Sequence, residues 1–221
     1  VVVIDSGSTD RTVELAKEHG AKVAFRAWTN DFSAQRNFAL EQTDADWVLY
    51  LDADERLNEN VIAEVKRIVA SGVMDAQYAF TRKSGAFGKI FSYGVLYPDQ
   101  VCRLFPRKAV VWVNKVHEHP ECKLPEKHLS GYVTHYTYKD WYEWEGKLCL
   151  YTTIWAEDAY KKGKRTTMAG IFQHSVGAFF KMFVLRRGFL DGGLGIYLCF
   201  AHGFYTMLKY LKLYDLQNKR K

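Results

Sequence analysis

The 221 residues, 48% of them hydrophobic, suffice for one large domain or for one domain with an appendage. Cys102, Cys122, Cys149 and Cys199 are scattered without a C-x-x-C pair, which argues against a zinc site or a disulfide framework and fits a reducing compartment. The formal charge of +6 is unevenly placed: from Lys161 onward 12 Lys and Arg face 2 acids, so the first 160 residues are net acidic.

Val1 to Ile4 is a β-branched run that reads as a strand, and because the chain opens inside it, further residues are expected upstream in the natural protein. Asp5-Ser6-Gly7-Ser8-Thr9-Asp10 follows as a polar loop. Gly7 permits a tight turn, Ser8, Thr9 or Asp10 can cap a helix carrying Val13, Leu15 and Ala16, and Gly20 ends it. Lys22 to Arg26 is a second short strand, and Phe32 to Gln42 a helix bearing Arg36 and Asn37. Asp46 to Leu51 is too short for a helix with a solvent face and reads as a buried strand. Strands alternating with helices predict an open α/β sheet with parallel neighbours, where ligands bind beyond the carboxyl ends of the strands.

Two strands deliver acids to that edge, Asp5 from the first and Asp52-Ala53-Asp54-Glu55 from the third. Asp52 and Asp54, two residues apart, lean to the same side in extended backbone and repel unless a cation or donor lies between them. That pattern suits a hard divalent ion, Mn²⁺ or Mg²⁺, which takes few protein oxygens and completes its shell with water and phosphate. An acidic turn that caps the next helix fits the same residues.

Beyond the acids, Asn58 or Asn60 starts a helix with Val61, Ile62, Val65, Ile68 and Val69 on its buried side, ended at Ser71-Gly72. Gln77 to Arg82, Val101 to Phe105, Val110 to Val113 and Gly131 to Tyr136 read as strands of an antiparallel extension. His117-Glu118-His119 lacks the H-E-x-x-H spacing of a zinc protease, and the Gly131 to Tyr136 strand delivers His135.

The strand ending Val3-Ile4-Asp5-Ser6-Gly7-Ser8-Thr9-Asp10, the Gln35-Arg36-Asn37 helix and Leu51-Asp52-Ala53-Asp54-Glu55 together resemble the family-2 glycosyltransferases of the GT-A fold. Arg103-Leu104-Phe105, Val116-His117-Glu118 and Gly188-Phe189-Leu190-Asp191-Gly192 further resemble the bacterial lipopolysaccharide-core β-1,4-glucosyltransferase group. The resemblance implies a Rossmann-like mixed sheet flanked by helices over residues 1–160, with a helical appendage over 161–221. Family members carry an additional strand and helix before the Asp-Ser-Gly-Ser-Thr-Asp strand.

It also implies an inverting hexosyltransferase that moves a sugar from a nucleotide-sugar donor, a UDP-sugar, to a glycan or glycolipid acceptor in lipopolysaccharide-core or other cell-envelope synthesis. In that reading Asp5 and Ser8 bind the nucleotide, Arg36 lies by the nucleotide or its diphosphate, and Asp52 reaches the ribose or a metal-bound water. Asp54 holds Mn²⁺ or Mg²⁺, with Asp52 and either His135 or His117 as further ligands, and Glu118 is the general base. Glu55 and Asp99 are the competing bases.

In the tail, Phe172, Val176, Phe179, Phe180, Phe183 and Val184 recur at helical spacing, Arg186-Arg187-Gly188 interrupts, and Ile196 to Leu213 forms a second aromatic helix. Asp191, His202 and the glycines from Gly192 to Gly203 argue against a spanning helix, so amphipathic helices on an anionic membrane surface, or packed on protein, are expected. This places the protein in the cytoplasm, peripheral on the inner face of the cytoplasmic membrane, with no nucleic acid as partner. Three rivals are a haloacid-dehalogenase-type phosphatase, which wants Thr or Val where Arg56 stands, a sugar-nucleotide pyrophosphorylase, and a catalytically silent protein that docks on membrane or nucleic acid.

Overall fold

The β-branched opening of the chain forms β1 (Val2–Asp5), which pairs in parallel with β2 (Lys22–Phe25), Val2 opposite Lys22 and Asp5 opposite Phe25. Helix α1 (Thr12–Glu18) connects them, and Asp10 Oδ1 accepts the Thr12 amide at its start. The computed structural model describes residues 1–115 and 118–218. Val116 and His117 of the expected His-Glu turn, and Lys219-Arg220-Lys221 of the basic tail, lie outside the described residues.

The chain divides into two compact units. The first comprises Val1–Asp52, Glu59–Phe80 and Gln100–Gly131. Asp31 caps α2 (Phe32–Glu41) by accepting the Ala34 amide at 2.9 Å, and β3 (Trp47–Leu49) follows. Strand β3 is shorter than the expected Asp46 to Leu51, although the Tyr50 amide still donates to the Arg103 carbonyl at 3.0 Å. Its partner is antiparallel, β7 (Asp99–Pro106), with Leu49 opposite Leu104. Strands β8 (Val110–Val113) and β9 (His119–Cys122) form a separate antiparallel ribbon. The core here is Tyr50, Phe105, Val110 and Trp112, with Ala39 and Leu40 of α2 packed against it. Burying a side chain as large as Phe105 contributes about 1.5–3 kcal/mol. Helix α3 (Glu59–Ser71) buries Val61 and half-buries Val65 and Ile68, but Ile62 and Val69 face solvent, so its inward stripe is narrower than the periodicity predicts.

The second unit comprises Ala53–Asn58, Thr81–Asp99 and the chain from Tyr132. Here β4 (Glu55–Leu57) pairs antiparallel with β10 (Glu126–Tyr138), His135 opposite Glu55. Strand β5 (Gln77–Ala86) turns back into β6 (Lys89–Ile90). Strands β5, β7 and β10 each contribute residues to both units. Parallel pairing is found between β1 and β2, whereas β3 with β7, β4 with β10 and β5 with β6 pair antiparallel.

Three helices complete this unit: α4 (Trp141–Lys161), α5 (Met168–Phe180) and α6 (Gly192–Asn218). The boundary expected at 160/161 falls at the end of α4. That helix was not anticipated, yet it carries a legible start: Asp140 accepts the Glu143 amide at 2.8 Å, and Glu143 reaches back to the Lys139 amide at 2.7 Å. Helix α5 runs without a break into a π-helical turn, Lys181–Leu185. The resulting segment, Met168–Leu185, is long and apolar enough to cross a membrane by length and composition. The expectation against a spanning helix weighed Asp191, His202 and the glycines of the second tail helix, whereas it is the first, carried through its π turn, that has the length and composition.

Candidate active site

Helix α2 organises the first unit through consecutive polar residues. Gln35 donates to Ser6 Oγ at 2.9 Å and accepts from Arg26 at 3.0 Å, which fastens the loop after β1. Asn37 makes a two-way bond with the Trp112 backbone, donating to its carbonyl at 2.8 Å and accepting its amide at 2.9 Å, so it holds β8. Arg36, between them, points to the end of β3. Its Nη2 lies 3.0 Å from Asp52 Oδ1 and 3.9 Å from Glu118 Oε1, and its guanidinium sits 4.5 Å over the Trp112 ring.

Asp52 has a second arginine. Arg103, buried on β7, donates to Asp52 Oδ2 at 2.7 Å, so each carboxylate oxygen accepts from a different guanidinium. Burial alone would raise the Asp52 pKa, but the charges and hydrogen bonds of Arg103 and Arg36 outweigh it, and the group is held below the usual carboxylate value. Tyr50 supports the cluster from beneath: burial pushes its hydroxyl up to about 12, and the hydroxyl donates to the Arg36 carbonyl at 3.1 Å. Three expected residues, Arg36, Asp52 and Glu118, thus meet. Arg103, Asn37 and Trp112 join them without an expected site role; the signal available for Arg103 and Asn37 was their place in the Arg103-Leu104-Phe105 and Gln35-Arg36-Asn37 motifs, and Trp112 had none.

Asp5 and Ser8 form a separate arrangement in the same unit. The Asp5 carboxylate accepts the Gly7 amide at 2.9 Å, the Ser8 amide at 3.2 Å and the Ser8 hydroxyl at 2.5 Å. Gly7 has φ +109°, a conformation that a side chain strains, and this lets the loop fold back over the carboxylate. The Ser8 hydroxyl, followed by the Gly7 amide, holds Asp5 below the ordinary carboxylate pKa.

The second unit holds the other acids. Asp54 Oδ2 lies 3.1 Å from His135 Nε2, with the Asp54 side chain 52% exposed. The rivals for the base role are engaged elsewhere: Arg82 lies 3.5 Å from buried Glu55 and 2.7 Å from Asp99. Among the described residues no three His, Cys, Asp or Glu side chains gather as a metal cluster. One carboxylate and one imidazole nevertheless fit a Mn²⁺ or Mg²⁺ that binds through one or two protein ligands and fills its remaining positions with water and substrate phosphate.

The sequence profile described as glycosyl transferase family 2 matches residues 1–111. The chain belongs to glycosyl transferase family 2. Its mixed α/β architecture with C-terminal helices is the GT-A fold of that family, and the phosphatase and pyrophosphorylase alternatives are set aside. Related to this glycosyltransferase is a Rickettsia typhi protein described as an uncharacterized glycosyltransferase, 27% identical over 99% of the chain and 79% of the relative. A Rickettsia bellii protein of the same description is 29% identical over 98% of the chain and 77% of the relative. Among solved structures, Staphylococcus aureus TarS 1-349 in complex with UDP aligns over 100% of the chain and 82% of the TarS chain, with 13% identity and a TM-score of 0.43.

Proposed function

We propose that the enzyme transfers a hexose with inversion from a UDP-sugar to a hydroxyl of a glycan or glycolipid acceptor, in lipopolysaccharide-core or other cell-envelope synthesis on the cytoplasmic side. The observation that carries this reading is the Arg36, Asp52, Arg103 and Glu118 cluster at the end of β3. Asp52 fixes two forked cations by one oxygen each, and guanidinium geometry suits phosphate oxygens of a nucleotide. Asp52 itself contacts the ribose or a metal-bound water, and the loop stiffened by Asp5 and Ser8 receives the nucleoside.

Glu118 removes the acceptor proton as the acceptor oxygen bonds to the anomeric carbon and the bond from that carbon to the diphosphate oxygen breaks. Asp54 and His135 would hold Mn²⁺ or Mg²⁺, which supplies positive charge to the departing diphosphate. The free thiols Cys102, Cys122, Cys149 and Cys199 support a reducing compartment.

A thermal-shift panel of nucleotide sugars with and without Mn²⁺ tests the reading, because a ligand bound only by the native state raises the melting temperature by mass action. A UDP-sugar should stabilise the protein more with Mn²⁺ than with chelator. No shift with any nucleotide sugar would sink the donor assignment.

A further inference from the structure

The tail hairpin has an apolar surface that the transfer chemistry does not use. Helices α5 and α6 pack through Phe179 on Phe200, with ring centroids 4.6 Å apart, and through the Ser175 hydroxyl donating to the Gly203 carbonyl at 2.7 Å. Outside that seam, Phe172 is 72% exposed, Leu185 77% and Leu190 52%, and Phe200 keeps 60% of its surface exposed beside its contact with Phe179. Large apolar side chains left in water in this number mark a surface that something covers.

The tip between the helices is held rigidly. Arg187 adopts a left-handed φ of 52°, and a Cβ on Gly188 would lie 2.3 Å from Cys199 Sγ. Buried Asp191 accepts the Ser92 and Tyr93 amides, at 3.1 and 2.7 Å to its Oδ2, and Lys89 donates to its carbonyl. Leu185 and Leu190 are therefore displayed by a fixed turn. Exposed Lys181, Arg186 and Arg187 stand in the same turn, with Arg186 4.4 Å over the Tyr97 ring. An open groove of about 710 Å³ between α4 and α6, lined by Trp141, Trp144, Phe200 and Phe204 among others, extends the apolar surface.

We propose that the α5–α6 hairpin lies in the interface of an anionic lipid leaflet, with Leu185, Leu190, Phe172 and Phe200 among the acyl chains and Lys181 and Arg187 on the lipid phosphates. Charge complementarity selects this occupant: an apolar face bordered by exposed cations matches a negatively charged headgroup layer. The hairpin lies in the interface rather than crossing it. Helix α6 is packed on α5 and would have to enter with it, carrying Lys209, Lys212 and Asp215 into hydrocarbon. The proposal stands independently of the donor and acceptor assignments.

The test is sedimentation of the purified protein with vesicles of phosphatidylcholine alone and of phosphatidylcholine with phosphatidylglycerol in equal parts. Wild type should pellet with the anionic vesicles, be released in part by high salt, and be extracted by alkaline carbonate. Leu185→Glu/Leu190→Glu should lower partition by about tenfold or more, with the melting temperature measured alongside. Lys181→Gln/Arg187→Gln, which alters exposed side chains alone, should reduce binding and flatten its salt dependence. Equal binding to neutral vesicles, unchanged binding of both variants, resistance to carbonate, or a soluble dimer that the Leu variant dissolves would each overturn the proposal.

Discussion

Two aspartates separated by a single alanine meet opposite fates. Asp52, at the end of the first unit's acidic strand, gives one oxygen to Arg36 and the other to Arg103, and its charge is locked to two guanidiniums. Asp54, in the second unit, is half exposed and meets the imidazole of His135 at 3.1 Å. A carboxylate with both oxygens in charge-assisted bonds holds the two arginines, and itself, in position for a nucleotide, whereas one beside a single exchangeable donor is open to a metal ion. The residue type is the same, and its neighbours set its use.

The largest effect should come from the exchangeable carboxylate. Asp54→Ala is expected to lower kcat/KM by at least about a hundredfold, with a nearly unchanged melting temperature because the side chain contributes little to the core. Wild-type turnover in that variant, or full wild-type activity in chelator, would remove the metal from this side of the comparison.

Glu118→Gln should cost about 10² or more in kcat while the donor KM stays near the wild-type value, since a missing base slows proton removal and leaves donor binding intact. Equal losses in Glu118→Gln and Glu55→Gln would indicate that neither acts as the base. A smaller effect is expected at His135→Ala, an increase of about tenfold in the Mn²⁺ concentration needed for half-maximal rate. If that concentration does not move, Asp54 works without its imidazole neighbour.

The locked carboxylate should register in stability. Asp52→Asn is expected to cost about 1–2 kcal/mol in urea unfolding, at the low end for charged hydrogen bonds because the aspartate is partly exposed. The pH dependence sharpens this. The folded pKa of Asp52 is depressed, so its contribution is complete above the unfolded value near ~4 and is lost as pH falls through the folded one. Wild type should therefore lose stability more steeply than Asp52→Asn below about pH 4. Parallel curves for the two proteins would mean that the arginines do not hold this carboxylate.

Much of this was legible before the fold was known, and for a local reason. The β-branched run ahead of Asp5, the Gly7 turn, the helix from Phe32 and the apolar run ahead of Asp52 each depend on side chains within a few residues of one another. Short-range sterics and hydrogen bonds decide such features, so they are written in spacing and residue type. Helix α4 is legible by the same rule, in Asp140 and Glu143 at its start.

What only the tertiary structure decided lies at long range. Arg103 reaches Asp52 across 51 positions, and Asn37 meets the Trp112 backbone across 75. The pairing of β3 with β7 sets the first of these, through the register that puts Leu49 opposite Leu104, and the contact of α2 with β8 sets the second. By itself the sequence determined which strand ends carry carboxylates and where helices begin. Which cation each carboxylate meets depends on strand register and helix packing, which arise from burying Tyr50, Phe105 and Trp112 together and have no signature at any single position.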